Sequence, residues 1–242
     1  MKYVGSKNRI SKEIVPILQN LIDENKIETY IEPFVGGANI IDKINCKNRI
    51  GNDLDNIPIS LLTKCVENEN LLNSLPQELT REYYYKVRDN KNDYEDWYYS
   101  AILLFGSYNN RVYGGCYGAI AKTKDGNIRN YFQEGIRNFK KQIPNLHDII
   151  FTNKDYREFS NMKNCLIYCD PPYANSIKYK QQFDNNEFWN WVREMSKSNI
   201  VVVSEYNAPD DFKCIWEKEI KVHIRNNKKN MATEKLFIIK EN

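Results

Sequence analysis

Apolar residues along the chain follow helical and extended patterns at both ends and lose the extended pattern in the middle. Over residues 10–23, Ile10, Ile14, Ile17, Leu18 and Leu21 fall at helical spacing, with Ser11 as the expected cap, although Pro16 is unfavourable in mid-helix. Thr29-Tyr30-Ile31 predicts a short strand running into Glu32-Pro33-Phe34-Val35-Gly36-Gly37, where the glycine pair marks a turn. A helix is expected over 38–44, a second strand over 49–53 and a helix over 58–66. Strands alternating with helices in this way spell a parallel α/β sheet.

Over residues 67–147 no strand is predicted. Helices are expected at 79–90, 94–107 and 131–142, around an irregular stretch at 109–118. The section reads as an insert within the sheet domain. Strands resume at 148–152 and 165–169, followed by a helix over 187–198. Ile200-Val201-Val202-Val203 has the continuous apolar character of a strand covered on both faces. Two further strands are expected near 218–224 and 235–239.

Composition narrows the class. The 242 residues are 41% hydrophobic and 28% charged, as in a soluble globular chain that builds its core without disulfide or metal staples. A net charge of +3 excludes a histone-like polycation but leaves room for a local basic face. No apolar run approaches the roughly 18 residues of a membrane span, and residues 1–5 lack a signal-peptide core. A cytoplasmic protein with no membrane association is expected. The six cysteines form no C-x-x-C pair, and neither His147 nor His223 stands beside a cysteine pair. Free thiols and no metal site follow as expectations.

Two segments carry candidate chemistry. Asp170-Pro171-Pro172-Tyr173 follows an apolar strand, where α/β sheets bind ligands. Two prolines hold a rigid extended turn, so an acidic side chain and a free carbonyl form a two-acceptor fork suited to an amino group. Tyr173 adds a face for stacking a planar ring. The same four residues also fit an ordinary X-Pro-Pro loop. In the second segment, Gly36 and Gly37 permit close backbone approach by a ligand, but no G-x-G-x-x-G is present. Asp53 lies roughly 20 residues on, where an acid holds a ribose diol. Glu32 would repel a pyrophosphate and suits an ammonium group. A nucleoside bearing an amino acid and no phosphate, S-adenosyl-L-methionine, meets these requirements. A helix-entry turn and a surface aspartate are the alternative.

With these residues in view, the chain resembles the Dam-type, adenine-specific DNA methyltransferases along nearly its whole length. Lys2-Tyr3-Val4-Gly5-Ser6-Lys7 is similar to the family's opening motif, and a Walker A reading fails for want of the upstream glycine. Phe34-Val35-Gly36-Gly37-Ala38 resembles the methionine-binding motif, with its glycine and alanine shifted from the strict pattern. Asp53 matches the ribose-binding acid, Asn153-Lys154-Asp155-Tyr156 the adenine-binding segment and Asp170 to Tyr173 the catalytic motif. Residues 202–207 and Glu234-Lys235-Leu236-Phe237 resemble later segments near the active site.

The resemblance implies a Rossmann-like seven-stranded methyltransferase sheet. Residues 1–66 and 148–242 would form a split catalytic domain, and 67–147 a mostly helical target-recognition insert. It implies catalysis by Asp170, Pro171, Pro172 and Tyr173. Donor contacts would come from Tyr3, Lys7, Glu32, Phe34, Gly36, Gly37, Asp53, Asp155, Tyr156 and Asp170. The stretch 109–118 resembles the family's N-R-x-G-x-x-G region, so Asn109, Asn110, Arg111, Tyr113, Lys122, Lys124 and Arg129 are expected at DNA. Between Asn109 and Lys141, Arg111, Lys122, Lys124, Arg129, Arg137, Lys140 and Lys141 outnumber Asp125 and Glu134, the charge that phosphate contact requires. Lys228 and Lys229 form a weaker basic cluster. Double-stranded DNA is the expected partner of a monomer or weak dimer in a bacterial or phage-infected cell, with a cognate restriction endonuclease as a further candidate. Amino-methylation of cytosine or RNA, and a catalytically silent DNA-binding relative, remain the alternatives. Asp170 leans toward adenine.

Overall fold

The computed structural model describes residues 1–108, 115–116, 120–123, 125–172, 183–223 and 229–240. The strands are β1 (Thr29–Glu32), β2 (Asn48–Asn52), β3 (Ile120–Lys122), β4 (Ile128–Asn130), β5 (Ile149–Thr152), β6 (Cys165–Cys169), β7 (Ile200–Glu205), β8 (Phe212–His223) and β9 (Lys229–Ile239). The helices are α1 (Ser11–Glu24), α2 (Asn56–Glu67), α3 (Arg81–Asp89), α4 (Asp96–Gly106), α5 (Tyr131–Gln142) and α6 (Asn185–Met195). Seven strands form one sheet in the order β5-β2-β1-β6-β7-β9-β8. The first five are parallel, whereas β9 runs antiparallel to both β7 and β8. All five residues of β6 are buried, as expected for a central strand covered on both faces.

Most predicted elements lie within a few residues of their expected positions, α5 and β6 match at both ends, and β8 and β9 each begin six residues before the expected 218 and 235. Three differ for physical reasons. Ser11 is the first residue of α1 and not its cap, its hydroxyl donating to Asn8 O at 3.0 Å. Residues 38–44 form no α-helix, because Gly36 and Ala38 take positive φ (+47° and +54°) and only a 3₁₀ turn, Ile41–Lys43, follows. The middle section contains the β3–β4 hairpin, whose three-residue strands are too short to register as a periodic pattern.

One hydrophobic cluster runs from α1 (Ile14, Leu18) through α2 (Leu61, Leu62) into α4 and α5 (Leu103, Phe132, Phe139). Residues from both sides of the middle section thus share a core with it. A second cluster, on the other face of the sheet, packs α6 (Phe188, Trp191, Val192) against Ile31, Ile167 and Val203.

Candidate active site

Strand β1 has β2 on one side and β6 on the other, so chain connections leave it in opposite directions. Such a reversal opens a crevice at the carboxyl ends of the two central strands. Glu32 ends β1, and Asp170 follows the last residue of β6. The two candidate acids therefore stand on neighbouring strands at the place where an α/β sheet binds its ligands.

Glu32 is buried, and the Tyr30 hydroxyl donates to its Oε1 at 2.7 Å. Burial pushes the Glu32 carboxyl well above the usual range, and the Tyr30 hydrogen bond offsets only part of that rise. Asp53 follows β2. Its Oδ2 accepts from Gly36 N at 2.9 Å and its Oδ1 from Asp55 N at 3.0 Å. Burial again dominates and lifts the Asp53 carboxyl to about 7 against these hydrogen bonds. A buried and a half-buried acid whose largest perturbation is lost solvation suit a ligand that brings an ammonium group and hydroxyl donors. S-adenosylmethionine carries both, so the residues fit it.

The glycines explain the shape of the loop between them. A Cβ on Gly36 would lie 2.8 Å from Tyr3 Cδ1, and one on Gly37 would lie 2.6 Å from Asn39 Nδ2. Tyr3 thus packs on the turn, and its hydroxyl reaches Asp55 Oδ2 at 3.5 Å. Buried Gln142, at the end of α5, donates to Ala38 O at 2.7 Å and to Asp42 Oδ2 at 2.9 Å. The middle section therefore braces the same loop.

Asn52 is one residue that sequence reasoning missed. Fully buried at the end of β2, its Nδ2 donates to Pro33 O at 3.0 Å and Lys154 O at 2.8 Å. Its Oδ1 accepts from Thr152 Oγ1 at 2.8 Å and Lys154 N at 2.9 Å. One amide thereby uses its whole hydrogen-bonding capacity to join the exits of β1, β2 and β5. Its partners lie 19 and about 100 positions away, so no local pattern announces it.

Phe34 packs against Tyr156, Phe183 and Phe188 with ring centroids 5.5–5.9 Å apart. Asp155 caps the turn that carries Tyr156, and Arg157 holds its carboxylate at 2.8 Å and below the usual range. The donor-binding candidates thus divide. Tyr3, Glu32, Gly36, Gly37 and Asp53 surround one loop, whereas Phe34 and Tyr156 form an aromatic wall and Asp155 pairs with an arginine.

Lys7 lies elsewhere. Its Nζ stands 2.6 Å from Asp170 Oδ1 and 3.8 Å from Glu234 Oε2, with the Lys7 and Glu234 side chains 5% and 6% exposed and that of Asp170 21%. Burial raises the Asp170 carboxyl, Lys7 draws it down, and Glu234 pushes it up again. Pro171 is buried and Pro172 half-buried, while Tyr173 lies outside the described residues. Tyr206, Asn207, Ala232, Thr233 and Lys235 line a cleft of about 300 Å³. Burial, followed by the charges of Glu234, Glu205 and Asp170, raises the Tyr206 phenol to about 12.

Of the expected DNA contacts, Lys122 lies exposed on β3. Arg129, on β4, makes a two-point ion pair with Glu134 (2.7 and 2.5 Å) and lies over the Tyr131 ring. Asn109, Asn110, Arg111, Tyr113 and Lys124 fall outside the described residues, as does Lys228. Tyr108 N donates to Gly115 O at 3.0 Å. No metal-binding cluster and no membrane-spanning helix occur among the described residues.

Comparison with known proteins adds the family. The family model for D12 class N6 adenine-specific DNA methyltransferases matches residues 3–233. The type II methyltransferase M.MjaIII of Methanocaldococcus jannaschii is 30% identical, over 90% of this chain and 87% of its own. The type II methyltransferase M.FokI of Planomicrobium okeanokoites is 22% identical, over 92% of this chain and 38% of its own. Among solved structures, the rRNA methyltransferase aviRa from Streptomyces viridochromogenes aligns over 98% of this chain and 86% of its own, with 9% identity and a TM-score of 0.47.

Proposed function

Because the chain belongs to the D12 class of N6 adenine-specific DNA methyltransferases, we propose that Asp170 and the Pro171 carbonyl accept the two hydrogens of the adenine 6-amino group. S-adenosylmethionine, when bound, supplies the sulfonium methyl that the amino nitrogen receives. An adenine amino group is a weak nucleophile, because its lone pair is delocalised into the ring. Two acceptors on its hydrogens direct the lone pair outward and stabilise the positive charge that develops on nitrogen. Asp170 then takes the proton released from that nitrogen.

On the donor side, Glu32 faces the ammonium group and Asp53 the ribose hydroxyls. Gly36 and Gly37 let the backbone come close, with Tyr3 behind the turn. Phe34, Tyr156 and Asp155 border the donor's adenine. The target adenine is inaccessible inside a duplex, so it leaves the stack, at a cost of a few kcal/mol. It enters beside the Tyr206 cleft and stacks on Tyr173.

The insert, 67–147, offsets that cost through phosphate and base contacts from Asn109, Asn110, Arg111, Tyr113, Lys122, Lys124 and Arg129. A monomer or weak dimer suffices, because every proposed residue comes from one chain, and DNA places the enzyme in the cytoplasm. The type II relatives suggest a cognate restriction endonuclease as a genetic partner.

The observation that carries this reading is Asp170 at the carboxyl end of β6, one strand from Glu32 at the reversal of the sheet. Transfer of a tritiated methyl group to adenine-containing DNA tests it. Asp170→Ala is expected to lose transfer while still binding donor, and full activity in that variant refutes the assignment. Methylation-sensitive sequencing of DNA from expressing cells gives the recognition site.

A further inference from the structure

Lys7, near the start of the chain, is held between two carboxylates from its last third, Asp170 and Glu234. It sits on a 3₁₀ turn, Lys7–Arg9, capped by the Ser6 hydroxyl. Glu234 comes from β9, where the ladder fixes its backbone opposite Lys218. With 5% and 6% exposure, neither Lys7 nor Glu234 can turn to solvent for compensation.

The ammonium takes its short contact, 2.6 Å, from the acid that the reaction needs. An incoming amino group competes for that carboxylate. If Lys7 simply let go, a buried cation would lose its closest counter-ion, a costly state. Glu234 removes the difficulty. Its Oε2 already stands 3.8 Å from Nζ, and a shift of about 1 Å at the tip of a flexible side chain completes an ordinary charged hydrogen bond. The ion pair can therefore change partners without the ammonium leaving the protein interior.

We propose that Glu234 is a positioning residue for methyl transfer, receiving the Lys7 ammonium when the adenine amino group takes the Asp170 carboxylate. The proposal rests on the reading of Asp170 as acceptor of the amino group. The exchange has a second effect. Two carboxyl groups then surround one lysine where the amino nitrogen becomes positive in the transition state. Glu234 acts through Lys7 and need not touch the substrate.

The test is single-turnover methyl transfer to an adenine-containing duplex by the full chain, with Lys7→Gln, Glu234→Gln, the double variant and Asp170→Ala. Glu234→Gln is expected to lower the transfer rate about 100-fold, with donor and DNA affinities within about twofold of wild type. The double variant is expected to be no slower than Lys7→Gln alone, because both changes act on one contact. A thermal melt at the wild-type midpoint separates this effect from loss of fold. A wild-type rate in Glu234→Gln, or losses in the single variants that multiply in the double, overturns the proposal. Asp170→Ala separates the two levels: an inactive Asp170→Ala beside an unaffected Glu234→Gln rejects only the role of Glu234, whereas an active Asp170→Ala rejects the acceptor reading itself.

Discussion

Replacing Asp53 by asparagine keeps the shape of the donor site and removes its titration. In the ligand-free protein the carboxyl is lifted to about 7, chiefly by burial, against 3.8 for the free side chain. In the donor site proposed above, ribose hydroxyls would donate to the ionised form, so donor would bind the deprotonated enzyme. Below pH 7 each unit then weakens binding about tenfold, and above pH 8 the affinity levels off. Between pH 6 and pH 8 the gain is about tenfold, and near pH 7 Asp53 releases about half a proton on binding. The sign for folding is opposite. A carboxyl raised in the folded state stabilises the fold fully below its unfolded value and loses that contribution as pH rises through the folded value. The shift of about three units makes the contribution about 4 kcal/mol, lost between roughly pH 4 and pH 7. Titration calorimetry with the demethylated donor product, in buffers of different ionisation enthalpy, measures affinity and proton release together. Glu32 adds protons of its own if the ammonium ionises it, so the difference between wild type and Asp53→Asn isolates Asp53. Equal proton release by the two proteins near pH 7, or a wild-type affinity that is flat from pH 6 to 8, refutes the argument.

Other predictions follow from single contacts. Asn52→Ala leaves Lys154 N and two carbonyls without their side-chain partner and should lower stability by about 2–4 kcal/mol, seen in urea unfolding, with weaker donor binding. Gly36→Ala adds a Cβ 2.8 Å from the Tyr3 ring at positive φ, so about 1–3 kcal/mol of stability and most donor affinity should go; a wild-type melt would show that the ring yields freely. Arg129→Ala should weaken DNA binding and flatten the plot of log affinity against log salt by about one unit, whereas an unchanged slope places Arg129 with Glu134 and away from phosphate.

The fold could be read from the sequence where period and punctuation agree. Cys165–Cys169 and Tyr131–Gln142 lie where the apolar pattern puts them, because a buried strand and an amphipathic helix each repeat a local rule. Residues 38–44 looked helical by composition, yet Gly36 and Ala38 turn the backbone left-handed before a helix can begin. The acids at the strand ends were legible because Glu32 ends a strand and Asp53 and Asp170 each follow one. Asn52, Gln142 and the Lys7–Glu234 contact were not, since their partners lie about 100 to more than 200 positions away. Side-chain pairing at that range leaves no periodic trace.

The central position of β1 has a consequence for synthesis. Its partner β2 begins 16 residues after β1 ends, but its other partner, β6, begins only at Cys165. On a ribosome adding roughly 5–20 residues per second, one edge of this interior strand waits about 7–30 s for its neighbour. Tyr30 and Ile31, both fully buried in the finished protein, belong to that unfinished edge. The nascent chain thus carries an open, apolar template for mispairing through the whole translation of residues 67–147, and expression yield should respond to chaperone supply and to translation speed across that span.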